Sequence, residues 1–99
     1  MLLVIGNFRI APDHLEQARP TMQAMIDASR AEAGCLFYHY ALDLADPGLV
    51  HVQEGWRDDA ALADHFQSPH LQQWRASWPE LGISDRQLLR YDVAEAQPC

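Results

Sequence analysis

Lysine is missing altogether from this chain of 99 residues: every one of its seven cationic side chains is an arginine, set against fourteen carboxylates for a formal charge of -7. Affinity for nucleic acid depends on cations that displace counterions from phosphates, so a surface of this sign excludes a nucleic-acid partner and disfavours anionic membranes. Long apolar runs are also lacking. The first stretch, "MLLVIGNFRI", has no basic leader and, after Met1, only four consecutive apolar residues before Gly6, with Arg9 soon after, so it reads as a strand rather than a signal peptide. No segment approaches the roughly 18 to 20 apolar residues a membrane helix needs. Two cysteines make no disulfide framework: Cys35 reads as a small buried hydrophobe and Cys99 as an exposed chain end. The expected address is the cytoplasm. Repeats and low-complexity tracts are absent, and the length allows one domain over residues 1–99, with 94–99 as a tail.

What remains is an ordinary globular mixture, 48% hydrophobic and 21% charged. Residues 2–10 alternate, with Leu2, Val4, Phe8 and Ile10 on one face and Leu3, Ile5, Asn7 and Arg9 on the other. "PDHLEQ" offers Asp13 as a helix cap with Glu16 three residues on, followed by Leu15, Ala18, Met22, Met25, Ile26 and Ser29 at helical spacing. Pro20 interrupts that helix and Gly34 supplies a stop. "CLFYHYALDL" reads as a second strand, "ADPG" at 45–48 as a turn, and "LVHVQEGWR" as a third strand closing a hairpin. A helical region begins at Asp58 or Asp59 and breaks at "SPH", where Ser68 caps a new helix that ends before Pro79; "RQLLRYDV" is a fourth strand.

The order is β-α-β-β-α-β: an α+β, ferredoxin-like arrangement with an antiparallel sheet and its helices on one face. The first two strands carry apolar groups on both faces, so the uncovered face predicts packing against a second copy, a symmetric homodimer.

The richest stretch is "EGWRDDAALADHFQSPHLQQW", residues 54–74. Alternation puts Glu54 on the apolar face of its strand with Val50, Val52 and Trp56, where a carboxylate must find donors or take up a proton. That is either a structural group bonded to an arginine or a tryptophan N–H, or an acid/base. Leu62, His65 and Phe66 share a helical stripe, which turns His65 inward, either as a satisfied core residue or as a catalyst. His70 falls in the first turn of the next helix, where a solvated, outward position is expected. The i, i+5 spacing of His65 and His70 across a helix break matches no familiar ligand pattern, so no metal site is predicted. The tryptophans read as core, while aromatics around an inward polar cluster also suit a flat, hydrophobic ligand.

The blocks "VIGNFRI", "EAGCLFYHY" and "VQEGWRDDAALADHFQSPHLQQW" together resemble the antibiotic biosynthesis monooxygenase family, including its small quinol monooxygenases. The resemblance implies a homodimeric α+β barrel with a pocket between each sheet and its helices. It further implies oxidation of an electron-rich phenol, quinol or polyketide-like ring by dioxygen, with no flavin, haem or metal cofactor. Carried over residue by residue, it assigns His65 and Asn7 to the chemistry, with Glu54 as a recurrent acidic position that holds the histidine or acts as a second acid/base. Trp56, Phe66, Trp74 and Tyr38 would line the substrate site. Haem-degrading relatives place a tryptophan where this chain has His65 and a histidine where it has Arg75, which argues against that activity. An isomerase branch acting on a phosphorylated sugar would need a basic pocket, and Arg9, Arg57, Arg75 and Arg90 are scattered along the chain. Acid/base isomerisation and non-catalytic binding of an aromatic metabolite are the alternatives.

Overall fold

The computed structural model spans Met1–Cys99 and forms one four-stranded antiparallel sheet with helices against one face. The elements are β1 (Leu2–Arg9), α1 (Leu15–Arg30), β2 (Cys35–Leu42), β3 (Leu49–Trp56), α2 (Asp59–Phe66), α3 (Pro69–Ala76), α4 (Trp78–Leu81) and β4 (Ser84–Asp92). The strand order β2-β3-β1-β4 is that of the expected ferredoxin-like fold, and the sheet stays open, with β2 and β4 at its edges. No helix is long and apolar enough to cross a membrane.

The local signals explain most boundaries. Asp58 caps α2 by accepting from the Ala61 amide at 2.9 Å, and Ser68 caps α3 with Pro69 in the first turn. The "ADPG" turn joins β2 to β3, and Arg9 reaches over from β1 to bind Asp46 at 2.8 Å. One expectation fails at the start of α1. Pro12–His14 form a 3-10 turn, so α1 begins at Leu15 with no side-chain cap, and Asp13 plays no capping part. Proline at the first position favours this tight turn because its fixed φ suits it and its missing N–H is not needed there. α3 ends at Ala76, before Pro79 as expected, and Pro79 falls in the first turn of the short α4, which the sequence reading did not anticipate.

The core lies between sheet and helices. Leu2, Val4 and Phe8 of β1 and Val50, Val52 and Trp56 of β3 meet Met22, Met25 and Ile26 of α1 and Leu62, Leu71 and Trp74 from the later helices. Gly6 also faces this side, and a Cβ there would fall 1.8 Å from the Gln87 carbonyl oxygen and 2.7 Å from the Leu88 side chain. Glycine at position 6 therefore lets β4 bring Leu88 close over the sheet. The opposite face has no helix, and Ile5, Leu89 and Tyr91 stand exposed there.

Candidate functional site

Two residues that the sequence placed inward are the most deeply buried polar groups near the sheet centre: Glu54 is 4% exposed and His65 1%. They are not bonded to each other. Glu54 Oε1 accepts from Trp56 Nε1 at 2.9 Å, two residues along the same strand. The alternation of β3 forces this pairing, because both side chains leave the same face. Burial pushes the Glu54 carboxyl up to about 7, against the opposing pull of the Trp56 N–H and of Arg86.

The orientation of His65 comes instead from Glu32, in the connection between α1 and β2. His65 Nδ1 lies 2.6 Å from Glu32 Oε2, and His70 Nε2 lies 2.8 Å from the same oxygen. A carboxylate oxygen can only accept, so each imidazole nitrogen that touches it carries the proton. His65 is thereby fixed with Nδ1 protonated and Nε2 free to accept. Desolvation holds the His65 pKa below the ordinary histidine value, with Glu32 pulling the other way, so the ring is neutral and basic at Nε2 near pH 7. His70 is half-buried against Glu32, not solvated as expected from its helix position, because α3 turns its first residues back toward the end of α1.

Around His65 the site is aromatic. Its ring centroid is 4.5 Å from Trp56 and 5.4 Å from Tyr38. A small, partly open space of about 20 Å³ is lined by Tyr38, Tyr40, Glu54, His65 and Phe66, and by Arg75, Trp78 and Arg86 at its outer side. The Tyr38 and Tyr40 hydroxyls are 3.4 Å apart. Burial pushes Tyr38 far above the ordinary tyrosine range and Tyr40 up to about 12, so both remain donors at neutral pH. Beyond His70, between α1 and α3, lies a more open cleft of about 480 Å³ lined in part by Pro20, Met25, Gln73 and Trp74.

The expected residues thus divide. Tyr38, Glu54, His65 and Phe66 come together at one cavity. Trp56 is wholly buried behind it, holding Glu54, and Trp74 faces the separate cleft. Asn7 is carried to the other side of the sheet. It lies between His51 and Gln87 in register on the face that bears Ile5, because one step along a strand reverses the direction of a side chain. Glu32, Tyr40 and Arg86 join the site and escaped the sequence reading, Glu32 because only the fold brings it to His65, and Trp78, read as core, lines the cavity too. As for metals, the ligand atoms of Glu32, His65 and His70 lie within 4.8 Å of one another, a set of two imidazoles and a carboxylate that a divalent transition metal can use. Both nitrogens would then have to lose their protons, by a change of tautomer, to offer lone pairs to the metal, which would end the hydrogen bonds that now fix the His65 tautomer.

Comparison with known proteins gives this geometry its setting. Residues 1–77 match the family model for antibiotic biosynthesis monooxygenases. The uncharacterized protein sll1783 of Synechocystis is 32% identical over 97% of this chain, which spans 65% of that relative's length. Rv0793 of Mycobacterium tuberculosis, provisionally named a monooxygenase, is 38% identical over 79% of this chain and 76% of its own. A crystal structure from Deinococcus radiodurans, provisionally described as an antibiotic biosynthesis monooxygenase, superposes with a TM-score of 0.92 at 26% identity, covering 100% of this chain and 98% of that one.

Proposed function

Because the chain belongs to the antibiotic biosynthesis monooxygenase family, we propose that it is a monooxygenase that inserts one oxygen atom of dioxygen into an electron-rich phenol, quinol or polyketide-like ring, with His65 as base. The observation that carries this reading is His65 itself: buried, aromatic-walled, and held by Glu32 with Nε2 available. A ring hydroxyl of the substrate gives its proton to Nε2. The resulting anion passes an electron to dioxygen, the radical pair combines at a ring carbon, and the hydroperoxide loses water to leave a carbonyl. One oxygen atom ends in the product and the other in water, and the electrons come from the substrate, so the sequence needs no flavin, haem or metal. Tyr38 and Tyr40, as donors that do not ionise, stabilise the developing oxyanion in the place the sequence had given to Asn7.

The working unit in this reading is a homodimer that buries the helix-free face of the sheet. The test is oxygen uptake over a panel of naphthoquinols and anthrones, with autoxidation subtracted and His65→Ala measured in parallel. Saturable uptake that disappears in the variant is the expected result; full turnover by the variant would remove His65 from the mechanism. A buried carboxyl at about 7 near a neutral histidine also suits acid/base isomerisation, which would proceed without oxygen.

A further inference from the structure

Four of the seven arginines are tied to carboxylates: Arg9 to Asp46, Arg19 to Glu16, Arg57 to Asp58 and Arg90 to Asp59. Arg30 donates to the Tyr38 carbonyl oxygen at 2.9 Å. Arg75 and Arg86 are left, and neither makes an ion pair or a hydrogen bond within the chain. With fourteen carboxylates for seven cations, a shortage of acidic partners does not account for this. The two come from different elements, α3 and β4, yet both stack on one ring, with guanidinium carbons 6.0 and 5.9 Å from the Trp78 centroid. Arg75 also lies 5.6 Å over Phe66. Both line the cavity that His65 and Glu54 line. Trp78 adds a third donor of that wall without an acceptor, since its Nε1 is buried and unpartnered. The only carboxyl in the cavity, Glu54, accepts from Trp56 through Oε1 and is raised to about 7 by burial; Arg86 acts on its charge but makes no hydrogen bond or ion pair with it.

Two guanidinium groups and an indole N–H have been gathered here against a single buried carboxyl. We infer that the cavity beside His65 takes aromatic ligands bearing an oxyanion substituent, a carboxylate or a phosphate, gripped between Arg75 and Arg86 while the ring lies toward His65. Guanidinium groups suit this task, being planar, permanently charged and able to offer two parallel N–H donors while stacked on an aromatic face. The space now holds little more than a water molecule. Its movable wall is the arginine pair, since Arg86 is exposed and Arg75 half-buried, and leaving the Trp78 face for an anion would open the aromatic surface beneath. The inference rests on the reading of this cavity as the substrate site.

The test measures binding without turnover, by isothermal titration calorimetry under nitrogen, of 2-naphthoate, 2-naphthyl phosphate and neutral 2-naphthamide. The proteins compared are the wild type, the Arg75→Gln/Arg86→Gln variant and His65→Ala. Wild type is expected to bind at least one anion about tenfold or more tighter than the amide, as charge-assisted bonds allow. The double variant, whose two changes remove stacking on Trp78 and Phe66 but no hydrogen bond or ion pair, is expected to lose that preference with an unchanged circular dichroism spectrum. Arg19→Gln/Arg57→Gln, at positions outside the cavity lining, controls for the loss of two positive charges and is expected to keep it. Preference for the phosphate over the carboxylate, or the reverse, names the anion. Equal binding of anions and amide, no measurable binding of either anion, or a preference that survives the double variant would overturn the inference. Anion preference preserved in His65→Ala, alongside an absence of saturable oxygen uptake by the wild type, would remove the monooxygenase reading alone. Parity between anion and amide alongside His65-dependent uptake would remove only this one.

Discussion

Glu32 and His65 stand thirty-three residues apart in sequence and 2.6 Å apart in space, with one carboxylate oxygen deciding which nitrogen of the buried ring carries the proton. Replacing Glu32 by glutamine leaves a single acceptor oxygen without the charge, shared by two imidazoles, so His65 samples the wrong tautomer. In Glu32→Gln, kcat is expected to fall by roughly tenfold to a hundredfold while KM changes little, a magnitude usual for groups that orient a functional imidazole. The acid limb of the kcat–pH profile should also move to lower pH, since Glu32 raises the His65 pKa against the larger lowering by burial. A purely structural Glu32 would lower stability and leave the profile where it is.

Glu54 makes an opposite demand on pH. Its pKa rises from the ordinary carboxylate value to about 7 in the folded chain, so the folded state holds a proton that the unfolded chain releases. The sign follows directly: the group costs nothing below the ordinary value of 4.5, and stability is lost as pH rises from there to about 7, by on the order of 3 kcal/mol in all. Glu54→Gln keeps an acceptor for Trp56 Nε1 and removes the titration. Its urea-unfolding free energy, measured from pH 4.5 to 8, is expected to lose this downward slope relative to wild type, leaving the rise that comes from burying His65 in its neutral form. Parallel pH curves for the two proteins would mean that Glu54 is ionised in the fold.

Much of this was readable in the chain, for identifiable reasons. Period-two alternation in "LVHVQEGW" gave the inward side of Val50, Val52, Glu54 and Trp56, because a strand allows only two directions. Ser68 and Pro69 announced a helix start through a chemistry local to four residues. Glu32 gave no such signal. It sits outside any periodic element, and its meeting with His65 and His70 depends on how α1 ends over α2 and α3. Asn7 shows the reverse case, where alternation alone already set it apart from Phe8 and the resemblance to other chains drew it toward the site. Arg75 and Arg86 could be counted but not sorted until the other arginines had found their carboxylates.

The helix-free face of the sheet gives a third prediction. Ile5 of β1 lies opposite Leu89 of β4, and Leu3 lies opposite Tyr91, so adjacent strands present a joined apolar patch to solvent. Leu89 is 64% exposed. In a homodimer this patch is covered, and Ile5→Arg sets a charge in it with no partner, which costs several kcal/mol. The expected result is a wild-type dimer at micromolar concentration by light scattering coupled to size exclusion, and a variant whose dissociation constant rises about a hundredfold or more. A monodisperse wild-type monomer would sink the proposed assembly.

The break between α2 and α3 sets the spacing of the two histidines, and one serine holds it. Ser68 Oγ donates to the His65 carbonyl oxygen at 2.6 Å and accepts from the Leu71 amide at 3.4 Å, ending one helix and starting the next with a single hydroxyl. Ser68→Ala loses both, and the unfolding free energy is expected to fall by about 1 to 2 kcal/mol. For a domain of this size that is a drop of roughly 4 to 16 °C in Tm. Ser68→Asp separates the two bonds, because a carboxylate accepts from the Leu71 amide but cannot donate to the His65 carbonyl. Its Tm should fall between those of the wild type and the alanine variant. Equal losses in the two variants would place the whole contribution in the bond to His65, making Ser68 a fastener for α2 and not a cap for α3.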